Sequence, residues 1–219
     1  MNRKIRYKRL IIFLFFIIVF VFIILKLMFL KITNIYVSGN TYLTDQEIIE
    51  LGKISNYPNA LFTFSNFIES NIRKSDLVDS VDVKKKGFTK VYINVKENRP
   101  LFYDDIQKKT VLMDGKMLDK VYNVPVLVNI IDKDVYSKFL SLFSNINSDV
   151  FSSISEIEYT PNVVDKELFL LTMNDGNYIY VNLNRFDSIN KYFDMMVNFN
   201  NHKGILYLDS GEYFKILDN

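Results

Sequence analysis

The sequence predicts an α+β protein with one N-terminal membrane-spanning helix, followed by two extracytoplasmic domains. The first domain is predicted to hold a three-stranded sheet and two helices, and the second a mostly antiparallel sheet and two helices. Three observations predict this fold: one long apolar run, short segments in which apolar and polar residues alternate, and segments with helical spacing of apolar residues. The predicted segments are a basic tail at residues 1–9, a membrane helix at 10–30, a first domain at 32–100 and a second domain at 101–219.

The membrane helix is predicted from length and flanking charge. Residues 10–25 contain no polar residue, and after Lys26 the apolar run continues to residue 30. About 20 apolar residues are enough to cross a bilayer core of ~30 Å, and Lys26 lies near one end, where its side chain reaches the headgroups. Residues 1–9 hold five basic residues and no acid, so the positive-inside rule predicts a cytoplasmic N-terminus.

Two other interpretations of the apolar run are less consistent with the sequence. A cleaved signal peptide has a shorter apolar core and ends in small residues, whereas this run ends in the sequence KLMFLK. A buried core helix does not explain the length of the run or the basic cluster before it. The helix is therefore predicted to remain on the protein as an anchor.

Charge and cysteine content exclude several functions. The 219-residue chain carries 20 of its 27 basic residues and all 25 acidic residues after residue 31, a formal charge of −5 for that part. This net charge argues against nucleic acid or anionic lipid as its partner. The chain has no cysteine, which excludes disulfides, thiolate metal sites and thiol catalysis.

The first domain is predicted from capping and alternation. Thr44 and Glu47 form a capping box, which predicts a helix from residue 45 to about residue 52. Ser65 is a candidate cap for a second helix at about 66–74. The other predicted elements are strands at residues 32–37, 81–84 and 91–96, a turn at 38–40 and a hairpin connection at 85–89.

The second domain is predicted to begin after Pro100. Apolar residues recur at helical spacing between residues 134 and 147 and again from residue 189, where Asp187 is the predicted helix cap. The predicted strands are residues 101–103, 110–113, 117–118, 126–131, 155–160, 168–173, 178–183, 204–208 and 212–217.

The residue types that carry chemistry are sparse. His202 is the one histidine, so no imidazole metal site or catalytic triad can be assembled. The carboxylate pairs Asp104/Asp105 and Asp132/Asp134 fall in predicted loops, where solvated turn residues are the expected role. No glycine-rich phosphate loop is present. The sequence therefore predicts a protein that is not an enzyme and holds no cofactor or metal; an unfamiliar membrane-anchored wall enzyme is the alternative.

Several stretches resemble the FtsQ/DivIB cell-division family. Residues 35–40 (IYVSGN) with Leu43 and Thr44 are similar to the opening of a polypeptide-transport-associated (POTRA) domain. Residues 77–86 and 91–100 resemble the family's strand-turn-strand block, which ends in E-x-x-P. Residues 111–116 and 124–127 resemble the start of its β domain. The hairpin at Gly87 and Phe88 departs from the family, because it lacks the usual Pro and Trp.

This resemblance implies a noncatalytic scaffold at the division septum. It implies binding to FtsL-type and FtsB/DivIC-type bitopic proteins and, through them, regulation of septal peptidoglycan synthases, which are further candidate partners. A POTRA-bearing transport or assembly component of the envelope is the alternative, since POTRA openings also occur there. Such proteins carry several POTRA repeats before a β-barrel, whereas this sequence shows one and no barrel.

The resemblance also implies where a partner binds. In the family, the last strands of the β domain form an edge to which an FtsB/DivIC segment adds, and these positions correspond here to residues 206–215. Tyr213 or Phe214 is the predicted anchor of this contact, because large aromatic residues usually anchor interfaces. Lys215 is predicted to meet an acidic residue of the partner. The full predicted site is Leu206, Tyr207, Leu208, Ser210, Gly211, Tyr213, Phe214 and Lys215.

Overall fold

The computed structural model describes residues 2–199 and 202–217, with side chains from residue 7 onward. The chain divides into two compact units after Glu97. This division lies three residues before Pro100, which the sequence indicates as the boundary. Pro100 is instead the first residue of a strand, a position where the missing N–H of proline is tolerated.

The N-terminal helix α1 (Asn2–Met28) is continuous through the basic tail and most of the apolar run, and it ends two residues before the predicted end at residue 30. The most apolar 18 consecutive residues within its segment Tyr7–Met28 have a mean hydropathy of 3.4, and none of their side chains is buried within the protein. At 1.5 Å per residue, these 22 residues span about 33 Å, close to the thickness of a bilayer core. A single apolar helix with no protein around it fits a single-pass membrane protein with an extracytoplasmic region.

The first unit contains the predicted three-stranded sheet and two helices. The sheet has the order β1-β3-β2, with β1 parallel and β2 antiparallel to the central strand. Its elements are β1 (Asn34–Ser38), α2 (Asp45–Leu51), α3 (Ser65–Ile72), β2 (Val78–Lys86) and β3 (Lys90–Glu97).

Local hydrogen bonds fix the loop between β1 and α2. The predicted capping box is present: the Thr44 hydroxyl accepts from the Glu47 N–H, and the Glu47 carboxylate accepts from the Thr44 N–H. The carboxylate of Glu97 accepts three backbone N–H groups at 2.8 Å, those of residues 41–43. Gly39 has a φ of +85°, and a Cβ there would lie 2.1 Å from the Val95 carbonyl oxygen, so only glycine fits.

Helix α3 packs on β2 and also covers its free edge. Ile68 and Ile72 are buried in the core of this unit together with the inward side chains of β2 and β3. The Glu69 carboxylate accepts the Val83 N–H at 2.9 Å, and the Arg73 guanidinium donates to the Val81 carbonyl at 3.2 Å. These side chains occupy backbone groups that an edge strand would otherwise expose.

The second unit is a nine-stranded sheet with helices packed on it. The strand order is β12-β11-β10-β9-β8-β7-β4-β5-β6, and most neighbouring pairs are antiparallel. Its strands are β4 (Pro100–Asp104), β5 (Lys109–Leu112), β6 (Met117–Leu118), β7 (Val126–Leu127), β8 (Ile154–Tyr159), β9 (Leu168–Met173), β10 (Tyr178–Asn182), β11 (Gly204–Tyr207) and β12 (Tyr213–Ile216). Its helices are α4 (Lys133–Phe143), α5 (Ser148–Ser153), a 3₁₀ segment (Leu183–Lys191) and α6 (Tyr192–Val197).

Phenylalanine side chains form the centre of this second core. Phe139 of α4 stacks on Phe169 of β9 with ring centroids 4.7 Å apart, and it also contacts Phe102, Phe143 and Phe186. All five rings are fully buried. In a chain without disulfides, this aromatic cluster supplies the packing that holds sheet and helices together.

Three details of the helices differ from the sequence prediction. Asp187 does not cap a helix: it lies inside the 3₁₀ segment, whose cap is Asn182, with its side-chain oxygen accepting the Arg185 N–H at 3.1 Å. Ser65 is the first residue of α3, and the cap position belongs to Phe64, which makes no side-chain cap bond. The short helix α5 was not predicted, because six residues are too few to show helical periodicity.

We predict that residues 32–100 fold as a separate fragment and that Ile93→Asp unfolds it. Ile93 is 1% exposed and lies between Val37 and Val83 in the sheet, so a carboxylate there has no charged partner. The cost exceeds the stability that about 70 residues can supply. Thermal unfolding followed by circular dichroism tests this. The control is Asn94→Asp on the exposed face of the same strand, which should unfold cooperatively like the parent; a cooperative Ile93→Asp fragment would contradict the register.

Candidate functional site: the β12 edge

Strand β12 forms one edge of the nine-stranded sheet. It pairs antiparallel with β11, and β11 in turn runs parallel to β10. The opposite edge is β6, which has two residues, whereas β12 has four. The β12 strand therefore offers the longer free edge of this sheet.

The register shows which backbone groups of β12 face outward. The Leu217 N–H donates to the Lys203 carbonyl at 3.0 Å, so this pair, next to the ends of β12 and β11, is hydrogen-bonded. In an antiparallel ladder such pairs alternate, and Lys215 and Tyr213 therefore also direct their backbone groups toward β11. The N–H and C=O groups of Phe214 and Ile216 face away from the sheet and are available to another strand.

One face of this edge carries a row of tyrosines. Tyr180, Tyr207 and Tyr213 lie in register on β10, β11 and β12. The Tyr207 and Tyr213 rings stack with centroids 4.4 Å apart, and the Tyr180 and Tyr207 rings lie 5.4 Å apart. Tyr213 is 52% exposed and ends the row, so an incoming strand would extend it.

Phe214 faces the other side of the sheet and packs there. Its ring stacks on Phe199 with centroids 4.6 Å apart and lies over Gly204, where a Cβ would come within 2.6 Å of it. The two predicted anchors are therefore different in kind. The Phe214 side chain packs β12 against the rest of the domain, whereas the Tyr213 side chain is exposed to solvent.

The remaining predicted site residues divide between surface and core. Ser210 and Lys215 are exposed, and Gly211 lies in an open turn with space around its Cα. Leu206 and Leu208 are 1% and 0% exposed, so their side chains belong to the core and support the edge from beneath. Ile216 and Tyr180 were not among the predicted residues. In the sequence, Tyr178 and Tyr180 are two residues apart on β10 and therefore share a face of the sheet. This spacing is the signal that could have identified the face with the tyrosine row.

A buried polar network holds the hairpin of β11 and β12 in place. The Asn177 side-chain oxygen accepts the Gly204 N–H at 2.8 Å, and Asn177 is 1% exposed. Its amide nitrogen donates to the Tyr192 hydroxyl and to the Asp175 carboxylate. The Tyr192 hydroxyl donates to the same carboxylate at 2.6 Å. Every polar group of this Asn177 network has a partner, as buried polar groups require.

The turn that joins β11 to β12 is tied down by two side chains. Asn182 donates its side-chain amide to the Asp209 carbonyl at 3.0 Å. Arg185 lies 3.4 Å from the Glu212 carboxylate, at the start of β12. Both contacts come from the end of β10 and the 3₁₀ segment after it, so this segment positions the turn.

The candidate chemical residues of the sequence lie on separate elements and loops among the described residues. His202 is exposed in its loop, as predicted, and no cluster of three metal-ligating side chains occurs among residues 7–199 and 202–217. The prediction of a solvated loop residue is wrong for Asp104, which ends β4 and is 5% exposed. Its buried carboxylate accepts two backbone N–H groups and the Gln107 side-chain amide. Asp132 accepts the Tyr159 hydroxyl, and burial together with this carboxylate raises the pKa of Tyr159 to about 12. These carboxylates have structural partners.

Comparison with known proteins identifies similar chains. The protein-family model for the POTRA domain, FtsQ-type, matches residues 30–98. The cell division protein DivIB of Bacillus subtilis (strain 168) is 29% identical over 220 residues, covering 95% of this chain and 83% of that protein. DivIB of Listeria monocytogenes is 27% identical over 200 residues, covering 84% and 72%. The solved extracytoplasmic domain of DivIB from Geobacillus stearothermophilus has 22% identity and a TM-score of 0.40, covering 48% of this chain and 96% of that one.

We predict that Asn177→Ala destabilises the second domain by about 1–3 kcal/mol, because the buried Gly204 N–H loses its acceptor. Urea unfolding of the full chain in detergent, followed by tyrosine fluorescence, measures this. Asn198→Ala, an exposed position in the same domain, is the matched control and should change stability by less than about 0.5 kcal/mol. Equal effects of the two substitutions would show that the Asn177 network does not hold β11.

We also predict that Asp175 makes part of this stability pH-dependent. Burial alone would raise its pKa, but hydrogen bonds from Tyr192 and Asn177 and the charge of Lys203 hold it below the usual 3.8. A carboxyl with a lowered folded-state pKa stabilises the protein above its unfolded pKa, and this stabilisation is lost as pH falls through the folded value. The parent should therefore be more stable than Asp175→Asn at neutral pH, with the difference vanishing in acid below pH 3.8. A difference that stays constant across pH would contradict this role.

Proposed function

We propose that this chain, which belongs to the FtsQ/DivIB family of bacterial cell-division proteins, is a noncatalytic scaffold whose β12 edge binds a bitopic division protein at the septum. The observation that carries this proposal is the outward-facing backbone of Phe214 and Ile216. A strand edge with unpaired N–H and C=O groups recognises an extended peptide by adding it to the sheet.

The proposed topology places both domains outside the cytoplasm. Helix α1 fits a membrane anchor, and the basic residues before its apolar segment favour a cytoplasmic N-terminus. The DivIB relatives are described as cell division proteins, which supports a division role over the alternative of an envelope transport component.

The proposed partner is an FtsB/DivIC-type protein, with an FtsL-type protein in the same complex. A segment of the partner pairs antiparallel or parallel with β12 and accepts the outward N–H groups of Phe214 and Ile216. Tyr213 supplies the aromatic contact at the end of the tyrosine row, and Lys215, exposed on the same face, pairs with an acidic side chain of the partner. Through this complex the scaffold contributes to regulation of septal peptidoglycan synthases.

The edge of β1 in the first domain is the rival site for the same kind of contact. It also ends a sheet, and Tyr36 on it stacks with Tyr92 at 4.7 Å, much as Tyr213 stacks with Tyr207. A substitution that removes an outward N–H from β12, and leaves β1 unchanged, distinguishes between the two candidate edges.

We predict that Ile216→Pro weakens binding of an FtsB/DivIC-type extracytoplasmic segment by about tenfold or more. Proline removes an outward N–H and places a ring where the partner strand would pair, while the bonds between β11 and β12 stay intact. The cost of one lost hydrogen bond and its steric conflict is at least about 1.4 kcal/mol. Binding of the purified full chain is measured by titration calorimetry in detergent.

Two control variants make the result specific. Ile216→Thr keeps the N–H and should bind within about threefold of the parent. Lys215→Pro removes an inward N–H, so it should lower the stability of the domain, whereas Ile216→Pro should not. If Ile216→Pro binds the partner with the affinity of the parent, the β12 edge is not the recognition surface.

A further inference from the structure

The end of helix α1 is held by a loop of the first domain. Asn59 donates its side-chain amide to the Met28 carbonyl, and the Ala60 N–H donates to the Leu30 carbonyl at 2.7 Å. Lys31 forms an isolated β-bridge with Asn59. These bonds satisfy carbonyls at the C-terminal end of the apolar helix, so the loop at residues 59–64 lies where α1 leaves the membrane.

The tip of the hairpin between β2 and β3 lies at the same end of the domain. The Thr33 N–H, five residues after the end of α1, donates to the Thr89 carbonyl at 2.9 Å. Lys85 donates from its ammonium group to the carbonyls of Ala60 and Thr63, which joins the hairpin to the loop. The loop and the hairpin tip therefore form one membrane-proximal surface.

Three phenylalanines on this surface are exposed. Phe62 and Phe64 in the loop and Phe88 in the hairpin tip are 66%, 67% and 70% exposed. Phe62 is two residues from the Ala60 N–H bound to Leu30, a distance of at most about 7 Å along the chain. Exposed aromatic side chains so close together are unusual for a surface in water and are typical of an interaction surface.

The charge around these phenylalanines differs from the average of the chain. Residues 1–44, 51–68 and 83–96 contain no acidic residue, although the part of the chain after residue 31 has a formal charge of −5. Lys31, Lys85 and Lys90 lie beside the loop and the hairpin tip. A surface with apolar side chains and basic residues, and without acids, fits anionic lipid headgroups above acyl chains. The net negative charge of the part after residue 31 therefore does not describe this surface, which is locally basic and apolar.

We propose that Phe62, Phe64 and Phe88 insert into the bilayer leaflet next to the C-terminal end of α1 and seat the first domain on the membrane. The bilayer is the occupant that the geometry favours, because the hydrogen bonds to Leu30 and Thr33 hold these side chains at the level where the helix ends. The inserted rings add a second attachment to that of the helix and fix the tilt of the first domain. The proposed insertion of these side chains applies to either orientation of α1 and does not depend on the function proposed for β12.

The test uses single labelled cysteines, because the chain has none of its own. Phe62→Cys, Phe64→Cys and Phe88→Cys are made in the full chain, each leaving two of the three phenylalanines in place. Ser80→Cys is the matched control: it is exposed on β2, seven residues and about 20 Å from the hairpin tip. Each protein carries the fluorophore NBD and is placed at one copy per nanodisc. The nanodiscs contain either phosphatidylcholine alone or equal parts of phosphatidylcholine and phosphatidylglycerol.

Two quenchers then report the environment of each label. We expect a lipid with a nitroxide near its headgroup to quench positions 62, 64 and 88 several-fold more than position 80, with more quenching when phosphatidylglycerol is present. Aqueous cobalt should show the opposite order. Equal quenching of all four positions by cobalt would overturn the proposal. Protection from cobalt without quenching by the lipid nitroxide would also overturn it, since protein and not lipid would then cover these side chains.

Discussion

The hydrogen bonds of one buried amide, that of Asn177, determine where the sheet of the second domain ends. Asn177 accepts the N–H of Gly204, the first residue of β11, and this bond places β11 alongside β10 in parallel. Hydrogen bonds to Tyr192 and Asp175 fix the orientation of the Asn177 amide. Strand β11 pairs with β10 on one side and with β12 on the other, so β12 is the last strand of the sheet.

The other contacts of the last hairpin are consistent with a rigid edge. Gly204 has no side chain, which lets Phe214 lie over it and stack on Phe199. Asn182 and Arg185 bind the turn and the start of β12. Strand β12 is held by its pairing with β11, by the bonds to its turn and by the packing of Phe214. It therefore loses little conformational freedom when another strand pairs with it. Less ordering on binding leaves more of the contact energy for affinity.

The edge strands of the two sheets differ in how far their backbone groups are open to pairing with another strand. The free edge of β2 is covered by Glu69 of α3 and by Arg73, which follows this helix, and the edge of β6 is only two residues long. Such features prevent unwanted strand pairing in many proteins. At β12 the outward groups of Phe214 and Ile216 face away from the sheet and beside an exposed tyrosine. This difference distinguishes β12 from the edges of β2 and β6 and leaves β1 as its rival for the proposed contact.

The sequence contained enough information to predict the fold class and most elements, but not every contact between them. The capping box of Thr44 and Glu47 is visible from a spacing of three residues, and it is present in the structure. In residues 213–217, the alternation of side chains along a strand assigns Tyr213 and Lys215 to one face and Phe214 and Ile216 to the other. It did not show that Phe214 packs on Phe199, because this contact depends on how α6 crosses the sheet. The parallel pairing of β11 with β10 was also not predictable, since it depends on the Asn177 network between residues far apart in sequence.

Amide hydrogen exchange on β12 tests the central claim most directly. In the full chain alone, the amides of Tyr213 and Lys215 should exchange slowly, because they bind β11, and those of Phe214 and Ile216 should exchange fast. After addition of the extracytoplasmic segment of an FtsB/DivIC-type protein, the account predicts that Phe214 and Ile216 become protected as well. If these two amides still exchange fast in the complex, while new protection is found on β1, the partner adds to the sheet of the first domain and the account is contradicted.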